Sequence, residues 1–275
     1  MDSVKEEMYL KKEIEKICAD AFQTVDNARQ DWELQNNNIP EAFMIAQCIV
    51  QMICLKAKTI LSMTEGVCLI KGTCRIIDFS SMLPLVRTMY ELCFILRCFF
   101  VLPETREEMT ILLSIWKIRG LACRQNMCDI PDKFLQKQKQ EKEDITKLRN
   151  DVNTLLSNLD ISTEVKNDIK KILEYNGDNL KGFVFVKENN RITRIDDIHF
   201  ADGLKILPEL QNTSSLYKWT SMHTHASFLG ILQFGQAYTS TGKERIMRSI
   251  IASTYLICNT VLSDFKMLLN KKECP

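Results

Sequence analysis

The stretch SMLPLVRTMYELCFILRCFFVL, residues 81–102, decides the fold class. Its apolar residues cover most sides of a helix, and the run is long enough to imitate a membrane span. Three charged residues, Arg87, Glu91 and Arg97, lie within it, and together they would cost several kcal/mol in lipid. We therefore predict a helix buried in a protein core.

The sequence on both sides of this helix indicates an all-α protein. Glycine and proline are sparse, with nine Gly and six Pro in 275 residues, which favours long helices over a turn-rich β architecture. Apolar residues recur at helical spacing over most of the chain. We predict one domain over residues 1–275, a multi-helix bundle of about seven or eight helices.

Residues 131–200 depart from the bundle pattern. Lys133–Leu159 is rich in Lys, Gln, Glu and Asp, as is typical of a solvated helix face. Phe183–Ile195 contains two β-prone runs around a polar turn at Glu188–Asn190. We predict a charged helical arm followed by one small peripheral β-hairpin, inserted in the helical domain.

Composition excludes several classes of function. A formal net charge of +1 provides no global field to attract nucleic acid or an anionic membrane, so we predict no membrane partner. The eleven cysteines include no Cys-x-x-Cys pair, and we interpret most of them as small core residues in a reducing cytosol. Met1–Lys12 lacks an apolar run, which predicts no signal peptide and a cytoplasmic protein. No phosphate-binding or dinucleotide-binding motif is present, and we predict no cofactor.

The first candidate site is the pair Arg87 and Glu91 in the central helix. Residues four apart lie on one helix face, and an unpartnered charge in an apolar helix is costly. One interpretation is an ion pair that only fixes helix packing. The other is a functional site, since buried ionisable groups cluster at such sites.

The second candidate is the segment YKWTSMHTHAS, residues 217–227. Tyr217, Ser221 and His225 are spaced at four and eight residues, which on a helix places a phenol, a hydroxyl and an imidazole on one face. We predict that these groups meet the pair in the central helix, away from bulk water.

Together the two motifs resemble a family of bacterial helical proteins whose activity is not established. In that family an Arg-x-x-x-Glu helix precedes a Tyr-x-x-x-Ser-x-x-x-His-x-Ser segment. The matching residues are Arg87, Glu91, Tyr217, Ser221, His225 and Ser227. The resemblance covers about residues 72–238 and implies a multi-helix bundle in which these polar residues converge.

A metal-independent RNase of HEPN-like character is one hypothesis. His225 or His223 would act as general base while Arg87 stabilises a phosphate. The pair Arg194 and His199 fits the spacing of HEPN nucleases, but it lies at the end of the predicted hairpin and is a weaker match.

Two other chemistries fit the residues less well. His223 and His225 could bind a metal with Glu91 or Asp264, but residues two apart on a helix point in different directions, so we predict no metal site. Ser221 with His225 would form a nucleophile and base, but no glycine-rich elbow accompanies them.

The favoured hypothesis is a regulatory module that binds a small ligand or a protein partner. Its tentative catalytic residues are Arg87, Glu91 and His225, and its binding residues are Tyr217, Ser221, His223 and Ser227. The resemblance suggests a setting in bacterial stress or phage defence. A homodimer is left open, and RNA is a partner only under the RNase hypothesis.

Overall fold

A computed structural model describes most of the chain. The described residues are 3–34, 39–68, 71, 75–127, 130–174, 181–213, 215–225 and 227–271. They are 78% helical and contain one two-stranded antiparallel sheet. The predicted fold class, an all-α bundle with one small β-hairpin, is confirmed.

Within the described ranges there are nine α-helices and two strands. The helices are α1 (Ser3–Leu34), α2 (Glu41–Met63), α3 (Phe79–Leu96), α4 (Arg106–Gln125), α5 (Leu135–Asn158), α6 (Thr163–Glu174), α7 (Leu216–Thr224), α8 (Phe228–Gln236) and α9 (Ser240–Leu269). The strands are β1 (Gly182–Glu188) and β2 (Arg191–Ile198). Residues Arg97–Val101 form a π-helix, and Asp132–Phe134, Phe200–Lys205 and Pro208–Thr213 form 3-10 helices.

The elements group into two compact units, one of residues 1–97 and 200–274 and the other of residues 98–199. The first unit holds α1–α3 and α7–α9, and the second holds α4–α6 and the hairpin. The second unit begins upstream of the insertion predicted at 131–200, because α4 packs against α5. A single domain over the whole chain stays a prediction.

Helix α3 lies at the centre of the first unit, where it packs against α2, α7 and α9. Asp78 caps its first turn by accepting a hydrogen bond of 3.1 Å from the backbone N–H of Ser81. Phe43, Met82 and Phe94 are fully buried. The prediction of a core helix is therefore confirmed. The helix ends at Leu96 and continues as a π-helix to Val101.

Three cysteines from three helices meet in this core. Cys18 of α1, Cys54 of α2 and Cys258 of α9 are buried, and the Cys18 thiol lies within hydrogen-bonding reach of the other two. Cys93 and Cys98 are buried as well, as predicted for small core residues. Cys48 and Cys68 are exposed, and Cys74, Cys128 and Cys274 lie outside the described residues.

An ion pair crosses the core of the first unit. The guanidinium of Arg97 lies 2.7 Å from a carboxylate oxygen of Asp264, whose side chain is fully buried, and 3.2 Å from Glu209. Burial raises the pKa of Asp264 above its usual range, although the positive charge of Arg97 opposes this. The third charge of the 81–102 stretch is therefore stabilised within the protein.

Within the described parts of the chain, two helices are long and apolar enough to cross a membrane by length and composition: α2 and residues Thr241–Leu269 of α9. Core helices of soluble proteins meet the same criterion. In α9, 56% of the apolar window is buried. Neither of these helices is the stretch 81–102, which was predicted from sequence to resemble a membrane span. The cytoplasmic location stays a prediction.

In the second unit, strand β1 of the hairpin packs against α4. Its turn residues Asn189 and Asn190 have φ of 52° and 63°, the left-handed conformation of a two-residue hairpin turn, at the position predicted from sequence. Lys187 of β1 binds the carboxylates of Glu104 at 2.6 Å and Glu108 at 2.7 Å. The hairpin therefore has the support that an isolated pair of strands requires.

Helix α5 has the solvated character predicted for it. Within this helix the buried residues are Glu141, Ile145, Val152 and Leu156, which form a single narrow stripe.

Candidate functional site

The predicted pair in α3 is formed. The Nε of Arg87 donates to Oε1 of Glu91 at 2.9 Å, and the side chains are 18% and 27% exposed. The pair is therefore half-buried rather than sealed, and α3 packs against α7. Both interpretations offered for the pair, a packing contact and a site, are compatible with this position.

Tyr217 of α7 completes the cluster. The Nη2 of Arg87 donates to the Tyr217 hydroxyl at 3.1 Å, and the guanidinium carbon lies 4.9 Å from the centre of the phenol ring. The predicted contact between the two motifs, 130 residues apart, is therefore present for this residue. Arg87 ties α7 to α3 through a hydrogen bond and a cation–π contact.

The charge on Arg87 is secured by its neighbours. Partial burial works against the charged form, but the hydrogen bond and negative charge of Glu91 outweigh it, and the pKa of Arg87 is raised. The Nη1 nitrogen of Arg87 is buried and has no hydrogen-bond partner among the described residues. Arg87 is thus a fixed cation with one donor group still unused.

Aromatic rings hold Tyr217 in place. Its ring centre lies 5.8 Å from that of Tyr90 and 6.5 Å from that of Phe200. The Tyr90 hydroxyl donates to the backbone carbonyl of Phe200 at 2.9 Å. A Cβ at Gly203 would overlap that hydroxyl, so the chain approaches the ring closely only because residue 203 is glycine. On this side the cluster is therefore closely packed.

His225 does not join the cluster, and the prediction that it lies in the core beside Arg87 is wrong. Helix α7 ends at Thr224, and His225 has extended backbone angles and an exposed side chain. The stripe predicted for a continuous helix therefore stops before its third member. Ser221 remains on α7 and is half-buried.

The reason for the early helix end is the tight turn into α8. Ser227 accepts a hydrogen bond from the N–H of Gly230 at 3.0 Å and donates to the carbonyl of Met222 at 2.7 Å. A Cβ at Gly230 would lie 2.5 Å from that carbonyl oxygen, so the turn requires glycine there. Ser227, predicted as a binding residue, lies at the cap of α8 and connects the two helices.

His223 contacts helix α8. Its Nε2 lies 2.9 Å from Oε1 of Gln233 in α8, and the indole N–H of Trp219 donates to the same oxygen at 3.3 Å. Since a carboxamide oxygen only accepts, His223 carries its proton on Nε2 in this arrangement. Trp219 and Gln233 were not predicted from the sequence.

Trp219 and Gln233 line a cleft of about 280 Å³. Its lining residues are Trp219, Gln233, Gln236, Gly242, Arg245, Ile246 and Ser249. Arg245 is exposed, and in the described part of the chain no acidic side chain pairs with it. The cleft therefore combines an indole, a carboxamide and a free guanidinium.

In the described ranges neither a metal site nor either of the two Arg–His pairs of the nuclease hypothesis is formed. No group of three or more His, Cys, Asp or Glu residues there could hold a metal ion. Asp264 is paired with Arg97, and Glu91 with Arg87. Arg194 is on β2 and pairs with Asp196. The described contacts of Arg87 are with Glu91 and Tyr217, and none is with His225.

Comparison with known proteins gives one family. No curated protein and no solved structure matches the chain. A model of the family described as "Family of unknown function (DUF5677)" matches residues 51–243, more than half of the chain, and this range includes both motifs. The predicted resemblance to a helical family of unknown function is confirmed, and the chain belongs to the DUF5677 family.

Proposed function

We propose that the protein is a ligand-binding module that holds a small anionic molecule with a flat ring in the cleft lined by α7, α8 and the start of α9. The observation that carries the proposal is the convergence of Trp219 and His223 on a single oxygen of Gln233, at 3.3 and 2.9 Å. The indole of Trp219 and the carboxamide of Gln233, which both line the cleft, are thereby joined to each other and to His223.

The charge and polarity of the lining define the ligand class. Arg245 is a cation with no acidic partner among the described residues, and it would attract a carboxylate or phosphate. Trp219 and Ile246 offer an apolar surface that suits a flat ring. Gln236 and Ser249 offer polar groups that fix orientation.

The size of the cleft limits the ligand. Sites for small molecules span roughly 300–1,000 Å³, and the cleft, at about 280 Å³, lies just below that range. A molecule no larger than a mononucleotide fits this volume better than a polymer does.

The Arg87 cluster anchors α7, the helix that carries Trp219, to α3. Tyr217 lies two residues before Trp219 and six before His223, all on α7, and Arg87 fixes Tyr217 to α3. Arg87, Glu91 and Tyr217 would accordingly be positioning residues that set where α7 presents its indole and imidazole.

Intrinsic fluorescence tests this proposal. Titration with adenosine 5′-monophosphate and, separately, benzoate should change the tryptophan emission saturably. Arg245→Gln should weaken binding roughly 10- to 100-fold, the cost of losing a hydrogen bond between charged groups. Arg248→Gln removes a neighbouring exposed cation that does not line the cleft, and it should bind as the wild type does. No saturable change with either probe at millimolar concentration, or equal weakening in both variants, would contradict the proposal.

The metal-independent RNase is a second candidate. Its support is the exposure of His225, because a general base must reach its substrate. Wild type and His225→Ala should be incubated with end-labelled single-stranded RNA in the presence of EDTA. Cleavage that His225→Ala abolishes, with unchanged melting temperature, would favour this candidate over binding alone. A role in bacterial stress or phage defence stays a proposal that rests on the family resemblance.

A further inference from the structure

Helix α8 exposes an apolar surface that nothing in the described structure covers. Six large apolar side chains on it or directly after it are at least 41% exposed. They are Phe228 (77%), Leu229 (49%), Ile231 (68%), Leu232 (45%), Phe234 (41%) and Tyr238 (46%), and we call them the α8 ridge. Soluble monomers rarely leave a contiguous apolar patch of this size in water.

The way α8 packs explains why the ridge protrudes. Gly230 is its buried residue and rests against the backbone carbonyl of Met222, with no room for a side chain. The polar Gln233 points to Trp219 and His223 of α7. With its contacts made by a glycine and a glutamine, the helix leaves its large apolar side chains on the outside.

An apolar groove adjoins the ridge. It has a volume of about 590 Å³ and is lined by Val67, Ile76, Asp78, Ser80, Phe234 and Tyr238. Phe234 and Tyr238, whose rings meet edge to face at 5.1 Å, belong to both features. Two of its lining residues, Val67 and Ile76, exchange a pair of backbone hydrogen bonds. The α8 ridge and the groove are therefore adjacent on the same unit.

We propose that the α8 ridge and this groove form the interface between two copies of the chain, with the Phe228 end of each ridge seated in the groove of the other. A two-fold interface requires one patch that is complementary to itself, and a ridge beside a groove meets that requirement. Because each ridge fills the other groove, the contact closes at two copies.

The area and charge agree with a second copy as the occupant. Large apolar side chains bury about 150–250 Å² each, and six of them that are about half exposed give roughly 600 Å² per copy, close to the ~800 Å² per partner of a stable interface. The net charge of +1 gives two copies almost no mutual repulsion. The same near-neutral charge provides little attraction to an anionic membrane, the main rival occupant.

The mass of the full chain in solution tests the proposal. Size-exclusion chromatography with light scattering, at about 50 μM or above in view of typical interface affinities, should give a dimer for the wild type. The double variant Phe228→Asp, Ile231→Asp should be monomeric with an unchanged far-UV circular dichroism spectrum. Val67→Asp, on the groove side and 50% exposed, should also shift the protein to monomer.

The matched control is Leu55→Asp, an apolar residue 62% exposed on α2 and outside the ridge and groove, which should remain dimeric. A monomeric wild type, or a dimer that survives both the ridge and the groove variants, would overturn the proposal. Co-sedimentation of a monomeric wild type with phosphatidylserine vesicles, lost in the ridge variant, would overturn it in favour of a membrane surface. None of these variants changes a residue that lines the cleft at Arg245. Loss of the dimer and loss of ligand binding are therefore distinguishable.

Discussion

The hydrogen bond between Arg87 and Tyr217 offers the sharpest energetic test of how α7 is held. Tyr217→Phe removes the hydroxyl that accepts from Nη2 at 3.1 Å but keeps the ring beneath the guanidinium. A hydrogen bond to a charged group contributes about 1.5–3 kcal/mol when shielded. With the Arg87 side chain 18% exposed, water replaces part of the lost bond, and we expect a destabilisation of about 1–2 kcal/mol.

Urea unfolding followed by tryptophan fluorescence measures this loss. With an m-value of about 2–3 kcal/mol/M, the midpoint should fall by about 0.5 M. The same substitution at Tyr9, a residue 54% exposed on α1, should leave the midpoint unchanged. The control separates the effect of this hydroxyl from that of any tyrosine hydroxyl.

A double-mutant cycle isolates the interaction itself. Arg87→Met and Tyr217→Phe, singly and together, should give a coupling free energy of about 1 kcal/mol. Independent sites add to within about 0.3–0.5 kcal/mol. A coupling inside that margin would refute the inference that Arg87 ties α7 to α3.

Three further changes probe the fold around the site. Arg97→Met should lower the free energy of unfolding by about 3–5 kcal/mol, because it leaves the buried carboxylate of Asp264 without its cation. The control Arg194→Met removes one partner of an exposed ion pair and should cost about 1 kcal/mol or less. Chemical denaturation measures both. Without the cation of Arg97, burial raises the pKa of Asp264 in the folded state further. The Arg97→Met variant should therefore regain stability as the pH falls through that pKa. A loss of stability that does not change with pH would contradict this. Gly203→Ala should lower the melting temperature, at a cost of about 1–3 kcal/mol, since its Cβ would overlap a buried tyrosine hydroxyl. Gly120→Ala meets nothing within 4 Å in helix α4 and should instead stabilise by about 0.5–1 kcal/mol.

Local spacing was sufficient to predict the helical parts of the site. Arg87 and Glu91 are four residues apart in an apolar helix, so both their pairing and the need for a further partner follow from the sequence. Tyr217 was the correct partner because a long polar residue at the start of a helix can reach a neighbouring helix. The hairpin turn at Asn189 and Asn190 was equally local, since asparagine tolerates positive φ.

The prediction for His225 failed because it assumed that the helix continued. Ser227 three residues before Gly230 is a capping signal for a new helix, and it implied a break at about His225. The contact of Gln233 with Trp219 depends on how α8 folds back, which spacing within one helix does not encode.

Long-range pairing of charges was also beyond sequence reasoning. Arg97 and Asp264 are 167 residues apart, and each was visible only as a charge in an apolar helix. Such charges indicate that partners exist without indicating which residues they are. The packing of α3 against α9 determines that Arg97 pairs with Asp264.

The indole N–H resonance of Trp219 tests the proposed cleft most directly. The chain has three tryptophans, and Trp219→Phe assigns the relevant signal in a ¹⁵N–¹H spectrum. Addition of adenosine 5′-monophosphate should shift the Trp219 indole signal saturably in the wild type, and Arg245→Gln should remove most of that shift. A Trp219 signal that stays fixed while those of Trp32 or Trp116 move would contradict the account.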